Sequence, residues 1–148
     1  MQLIRRTRCR DNAISLYDII VAQSRKPEYY VHCGVPDTVD GRFDMIVLHA
    51  FVVLRRLKNS HHETAQALLE VIFDDMDRSL REMGAGDLGV SRRVKLMAKA
   101  LYGRIRAYEE ALDGEGTMFA EALRRNLYGT VAPTLACVEA METYVRAE

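Results

Sequence analysis

The chain has little of what marks secreted, metal-binding or membrane-spanning proteins. Its 148 residues include only three cysteines and three prolines, and no tryptophan. Cys9, Cys33 and Cys137 lie far apart and form no C-x-x-C pair, so neither a disulfide framework nor a zinc site is indicated. The most apolar run, residues 45–54, is about half the ~20 residues that a spanning helix needs. The sequence therefore predicts a protein of a reducing compartment without a membrane span.

An excess of charge of either sign is also absent. Lysine and arginine together number 21, as do aspartate and glutamate, so the whole molecule exerts no general attraction on nucleic acid or anionic membranes. The first ten residues carry four arginines, but no apolar segment follows them, which excludes a secretory signal. We predict a basic segment at 1–10 and one domain at 11–148.

Strict alternation of polar and apolar residues, the mark of a strand, is missing, and helical periodicity dominates. The sequence predicts an all-α fold, a single-domain bundle of about six helices at 11–25, 39–58, 60–83, 91–112, 117–128 and 132–148. The second helix is apolar nearly all round and belongs at the centre of a bundle. Ser60 and Ser91 are the predicted N-caps of the third and fourth helices, and Gly84 is the predicted C′ residue between them.

Three motifs that indicate chemistry fail on context or spacing. Gly84, Gly86 and Gly89 have the G-x-G-x-x-G spacing, but a helix rather than a strand precedes them, which argues against a dinucleotide loop. His62 begins an H-E-x-x-H motif whose second histidine is replaced by Gln66, so no zinc site is predicted. No Ser, His and Asp arrangement stands out, and we predict that the protein is not an enzyme.

Two weaker ligand sites stay open as alternatives. Asp74 and Asp77 share a helix face and could hold a divalent cation, although Asp77 also lies four residues before Arg81 and could pair with it. His49, with Met45 four residues before it, could ligate a haem inside the bundle, whereas a hydrogen-bonded core histidine is the commoner case. A carrier of haem or quinone is thus the alternative function, and no cofactor or metal is predicted.

Charge is divided unevenly between the third and fourth predicted helices. Residues 70–87 hold six acids against two arginines, whereas residues 92–106 hold six bases and no acid. Arg92, Arg93 and Lys95 fall in the first turn of the predicted fourth helix, where the helix dipole disfavours cations by about 0.3–1 kcal/mol each. Either the acidic helix neutralises these bases, or they form a partner-binding edge together with Asp87.

A second charged cluster lies in the segment VPDTVDGRFD, residues 35–44. Asp37, Asp40, Arg42 and Asp44 are more ionisable groups than a helix cap requires. They either lock the turn through Arg42 or present a polar recognition surface.

Residues 35–58 and 73–112 (FDDMDRSLREMGAGDLGVSRRVKLMAKALYGRIRAYEEAL) resemble the ubiquinol–cytochrome c chaperone family, and the later RNLYG fits as well. The resemblance implies a helical, non-enzymatic assembly factor for the cytochrome bc1 complex that binds newly made cytochrome b. It also implies a small helper protein and the ribosome as further partners. Because no long presequence or hydrophobic anchor is present, we expect the bacterial form, cytoplasmic and at most peripheral to the inner membrane.

The resemblance and the charge pattern together give the predicted partner-binding residues. They are Asp37, Asp40, Arg42, Asp44, Asp77, Arg78, Arg81, Glu82, Asp87, Arg92, Arg93 and Lys95. The expected partner is cytochrome b or another bc1 subunit, without sequence-specific recognition of nucleic acid, and the oligomeric state is left open.

Overall fold

The computed structural model describes residues 1–148, with Gln2 described by its backbone alone, and within them it contains helices and no strand. The helices are α1 (Gln2–Ser24), α2 (Pro27–Val31), α3 (Val39–Leu57), α4 (His62–Glu82), α5 (Asp87–Asp113), α6 (Met118–Asn126) and α7 (Leu135–Ala147). The all-α prediction is confirmed. The short helix α2 lies in a segment that was predicted to be a loop.

The first helix begins nine residues earlier than predicted. Helix α1 starts at Gln2, so the basic segment forms its first part. Arginine is a good helix former, and two ion pairs connect this part of α1 to α4. Arg5 Nε lies 2.8 Å from Glu63, and Arg10 Nη2 lies 2.8 Å from Asp74. The predicted domain boundary at residue 11 stays a prediction.

The predicted serine caps are wrong. Helix α4 begins at His62 with His61 before it, and the Ser60 hydroxyl contacts the His61 ring at 2.8 Å instead of capping. Helix α5 begins at Asp87, four residues before Ser91, because Val90 N–H already donates to the Gly86 carbonyl at 2.8 Å. An acidic residue is favoured in the first turn of a helix, and Asp87 occupies that turn.

The turn between α4 and α5 has the predicted glycine geometry. Gly84 has a φ of +86°, the left-handed region that glycine adopts without a steric penalty. Its N–H donates to the Arg81 carbonyl at 3.0 Å, and Ala85 N–H donates to the Leu80 carbonyl at 3.2 Å. These two bonds are the Schellman pattern, which satisfies the carbonyls at the end of a helix. The role predicted for Gly84 is confirmed.

The two C-terminal helices start slightly later than predicted. Thr117 precedes α6 and Thr134 precedes α7. The Thr134 hydroxyl oxygen accepts a hydrogen bond from Cys137 N–H at 3.2 Å, which makes it the N-cap of α7. Pro133 therefore lies before the helix and not in its first turn.

The chain forms two compact units, each with its own buried residues. Unit 1 comprises residues 1–19 and 56–103, and unit 2 comprises residues 20–55 and 104–148. The core of unit 1 includes Leu68, Ile72, Val90 and Leu101. The core of unit 2 is larger and richer in aromatic rings; its fully buried side chains include Phe51, Tyr108, Phe119, Leu123 and Tyr128.

Candidate functional site

Arg81 joins the end of α4 to the start of α5. Its guanidinium pairs with Asp77 at 2.8 Å and with Asp87 on the far side of the Gly84 turn. The hydrogen bonds to Asp77 and then Asp87 raise the pKa of Arg81 above its ordinary value. Arg78 lies 3.9 Å from Asp75, again within α4. Four of the predicted partner-binding residues therefore take part in local ion pairs, and the one between Arg81 and Asp87 crosses the turn.

The basic residues of α5 are placed differently. Arg92, Arg93 and Lys95 are exposed, and none makes an ion pair with an acid of the described chain. No ion pair of the described residues joins them to α4, whose Asp74, Asp75 and Asp77 pair with Arg10, Arg78 and Arg81 instead. Since α5 starts at Asp87, these cations also lie beyond the first turn, and the dipole penalty argued from the sequence does not apply. Glu82 is exposed at the end of α4.

The loop that leads into α3 is braced by its own residues. The Thr38 hydroxyl oxygen accepts a hydrogen bond from Gly41 N–H at 3.0 Å, and its carbonyl accepts one from Arg42 N–H at 2.9 Å. Thr38 thus caps α3, a role the sequence analysis missed. Arg42 Nε donates to Asp37 at 2.8 Å, which is the turn lock that was one of the two alternatives. Gly41 lies directly against the Pro36 carbonyl, so there is no room for a side chain at this position.

Asp44 faces inward and pairs with a residue that the sequence analysis did not identify. Arg104 Nε lies 3.0 Å from Asp44 Oδ1, and the two side chains are 27% and 13% exposed. The pair is close, but its angle is outside hydrogen-bond geometry, so among the described residues Asp44 Oδ1 accepts no hydrogen bond. Burial raises the pKa of Asp44 to about 6, an effect that Arg104 opposes and Asp40 adds to. Arg104 also lies 5.9 Å from the centre of the Phe43 ring.

The structure therefore divides the twelve predicted residues into groups. The four loop residues belong to unit 2 and the eight residues of α4 and α5 belong to unit 1. Asp37 with Arg42, and Asp77 with Arg81 and Asp87, are brought together; Asp44 pairs with Arg104 instead. Asp40 is exposed, and no ion pair to it occurs within the described chain. No sequence signal could have revealed the Asp44–Arg104 pair, because sixty residues separate its members.

His49 is a hydrogen-bonded core residue at 6% exposure. Its Nδ1 lies 2.9 Å from the Met45 carbonyl and 3.0 Å from the Ser24 hydroxyl, and its Nε2 lies 2.9 Å from the Tyr144 hydroxyl. Burial lowers its pKa, so the neutral ring is favoured. Both ring nitrogens are engaged, and a haem iron would have to displace one of these partners. The geometry does not favour the carrier alternative.

The possible cation site on α4 is occupied by local ion pairs. Asp74 pairs with Arg10 and Asp77 pairs with Arg81, each at 2.8 Å. No group of three or more His, Cys, Asp or Glu side chains that could hold a metal ion occurs among the described residues. Within the same part of the chain, no helix has the length and apolar character needed to cross a membrane.

Comparison with known proteins places the chain beside assembly factors of one respiratory complex. A family model described as ubiquinol-cytochrome C chaperone matches residues 31–148. The ubiquinol-cytochrome-c reductase complex assembly factor 1 of Xenopus laevis is 23% identical over 137 residues, which cover 90% of this chain and 68% of that protein. The human protein of that name is 24% identical over 137 residues, but the chain spans only 46% of its length.

A solved structure extends the likeness to the fold. The crystal structure of the Cbp3 homologue from Brucella abortus superposes with a TM-score of 0.80 at 37% sequence identity. The match covers 97% of this chain and 82% of that one. At that coverage it takes in most of residues 1–30, which the family model leaves out.

Proposed function

Because the chain belongs to the ubiquinol-cytochrome C chaperone family, as the sequence predicted, we propose that it assists assembly of ubiquinol–cytochrome c reductase by binding newly made cytochrome b. The relatives are named for assembly of the whole complex, and cytochrome b as the client is our proposal. An unassembled membrane subunit exposes surfaces that aggregate, and a temporary partner prevents this by covering them. The role needs binding and release, without catalysis.

The observation that carries the proposal is the open basic group on α5, formed by Arg92, Arg93 and Lys95. These side chains are exposed and make no ion pair within the described chain, so their charge is available to a partner. A local group of like charges steers an oppositely charged surface and orients its approach, even on a protein with no net charge. We propose that this group contacts acidic segments of the client.

The neighbouring ion pairs have a supporting role in this proposal. Arg81 links Asp77 and Asp87 across the Gly84 turn and so fixes the start of α5 on the end of α4. When the helix that carries a basic group is already fixed, less conformational entropy is lost on binding than when the helix has to be ordered first. The loop at residues 37–44 fixes the start of α3 in the same way, and exposed Asp40 is its remaining candidate contact.

A small helper protein and the ribosome stay further proposed partners, at the cytoplasmic side of the inner membrane.

The test is affinity purification of the tagged full chain from gently solubilised cells of its own species. Cytochrome b and the other mature subunits are then quantified by immunodetection against an untagged control. We expect cytochrome b to be enriched without the mature complex. The variant Arg92→Glu/Arg93→Glu should recover at least about tenfold less, since each reversal replaces attraction by repulsion.

A matched control keeps this experiment decisive. Arg124→Glu/Arg125→Glu makes the same charge change on two exposed residues of α6 in unit 2 and should leave recovery unchanged. Thermal unfolding of each variant shows that the fold is kept. Recovery of cytochrome b by the α5 variant at the wild-type level would show that this group is not the contact, and absence of cytochrome b from the wild-type sample would overturn the choice of client.

A further inference from the structure

Along its first four helical turns, one face of α5 carries both apolar and basic side chains. Positions three and four residues apart lie on one side of a helix, and this face spans about 21 Å at 1.5 Å per residue. All of its members belong to unit 1. We define it as the α5 strip, which consists of Leu88, Arg92, Lys95, Leu96, Lys99 and Tyr102.

The apolar members of the α5 strip are unusually open to solvent. Leu88 is 91% exposed, Leu96 is 61% exposed and Tyr102 is 50% exposed. The Tyr102 ring packs against Phe73 at 5.8 Å between centroids, so one side of it is anchored while the other faces outward. Single exposed leucines are ordinary on a protein surface, but three exposed apolar groups on the face of a helix that also carries exposed bases are typical of a helix that lies at a membrane interface.

The basic members have no acid to offset them. Residues 88–106 contain no aspartate or glutamate. Arg92, Lys95 and Lys99 are exposed and make no ion pair within the described chain. Because the chain has no net charge, attraction to an anionic surface has to come from such a local group.

We propose that the α5 strip docks on an anionic lipid surface, with its basic groups at the phosphates and its apolar groups at the headgroup boundary. On this face every apolar side chain has a basic neighbour three or four residues away. That mixture suits a bilayer, where anionic headgroups and the acyl boundary lie within about 5–10 Å of each other. Lysine stems can follow the apolar surface while the ammonium groups reach the phosphates.

The strip shares Arg92 and Lys95 with the proposed client contact, but the inference does not depend on that function. It requires only the exposed face of α5, and its test contains no client. A protein that uses this face at a membrane would meet its partner where membrane subunits are made.

Binding is measured by co-sedimentation of the purified full chain with vesicles. We expect binding to phosphatidylcholine vesicles that contain phosphatidylglycerol, little binding to phosphatidylcholine alone, and loss of binding in high salt. Lys95→Gln/Lys99→Gln should bind about 25-fold more weakly, at about fivefold for each basic group near an anionic surface. Leu88→Ser/Leu96→Ser, which keeps every charge, should bind at least about tenfold more weakly. The control Arg124→Gln/Arg125→Gln should bind like the wild type.

The absence of tryptophan from the sequence allows a second measurement that reports location. Tyr102→Trp introduces the only tryptophan of the chain, within the strip, and its emission should shift to the blue when anionic vesicles are added. Leu135→Trp, at a position 62% exposed on α7, should not shift.

Equal binding by the wild type and the strip variants, or no shift at position 102, would overturn the proposal. Loss of client recovery by the Lys95→Gln/Lys99→Gln variant without any vesicle binding by the wild type would assign the strip to an acidic protein partner instead, and would leave the proposed function standing.

Discussion

Gly41 is the position at which one added methyl group should have the largest effect for its size. It lies in the first turn of α3, where its N–H donates to Thr38 Oγ1 at 3.0 Å. A Cβ at this position would lie 1.9 Å from the Pro36 carbonyl oxygen and 2.9 Å from its carbon. Both atoms belong to the backbone, so no side-chain rotation can relieve the clash. Gly41→Ala must push the preceding loop away from the helix.

The expected change in stability is a difference between two effects of opposite sign. Alanine in a helix interior is favoured over glycine by about 1 kcal/mol. Moving the Pro36 carbonyl by more than about 1 Å is comparable to overpacking a core, which costs about 1–3 kcal/mol, and weakening the Thr38 cap adds about 1 kcal/mol. The net loss is about 1–3 kcal/mol, which lowers the Tm of a chain of this size by about 3–9 °C.

The assay compares the thermal unfolding of Gly41→Ala with that of Gly103→Ala. Gly103 is also helical, in α5, but a Cβ there would meet no atom within 4 Å. Without a clash only the helix preference remains, and Gly103→Ala should raise the Tm by about 2–4 °C. The same substitution should thus lower the Tm at Gly41 and raise it at Gly103. If Gly41→Ala unfolds at or above the wild-type temperature, the close approach of Pro36 is not what requires glycine at position 41.

Three further predictions concern a carboxyl group, a turn and a hydroxyl. Because burial raises the pKa of Asp44 to about 6, above its value of about 3.9 in the unfolded chain, the folded state takes up a proton first and stability rises as the pH falls. Relative to Asp44→Asn, the wild type should gain about 2 kcal/mol between pH 7.5 and pH 4.5 in urea unfolding; an equal slope for both would contradict the burial of the Asp44 carboxyl group. Gly84→Ala forces alanine to a φ of +86° and should lose about 1 kcal/mol or more in the same assay, and unchanged stability would refute the left-handed turn. Tyr128→Phe removes a hydrogen bond of 2.6 Å to the Cys33 carbonyl and should lose about 1–2 kcal/mol, whereas a neutral result would mean that water replaces the hydroxyl.

The sequence was most informative where a structural property depends on a repeat along one helix. Periods of three and four residues predicted the helices, and Val138, Met141 and Val145, which have this spacing on α7, are all buried. Helix ends were less predictable, because several adjacent residues can cap. Ser91 has the chemistry of a cap, yet Gly86 and Asp87 start α5 one turn earlier, where the chain leaves the turn at Gly84.

The candidate site shows the same limit for contacts between distant residues. The pairing of Asp77 with Arg81 follows from a spacing of four within one helix and was weighed from the sequence. Asp44 pairs with Arg104, and Arg10 pairs with Asp74, only because the fold brings separate helices together. Exposed apolar residues of α5 were missed for a related reason. A leucine off the core stripe looks like ordinary surface until its neighbours and their exposure are known.

The hydrogen bonds around His49 run in one direction, and this limits how that part of the core can change. The Met45 carbonyl can only accept, so the proton must sit on Nδ1, and Nε2 must then accept from the Tyr144 hydroxyl. That hydroxyl in turn accepts from Gln23 Nε2 at 3.1 Å. Each hydrogen bond in this series fixes which atom donates in the next one, so the hydrogens of Gln23, Tyr144 and His49 are placed in one direction. We therefore expect evolution to exchange these residues as a set, since replacing one member alone leaves a buried donor or acceptor facing the wrong kind of atom.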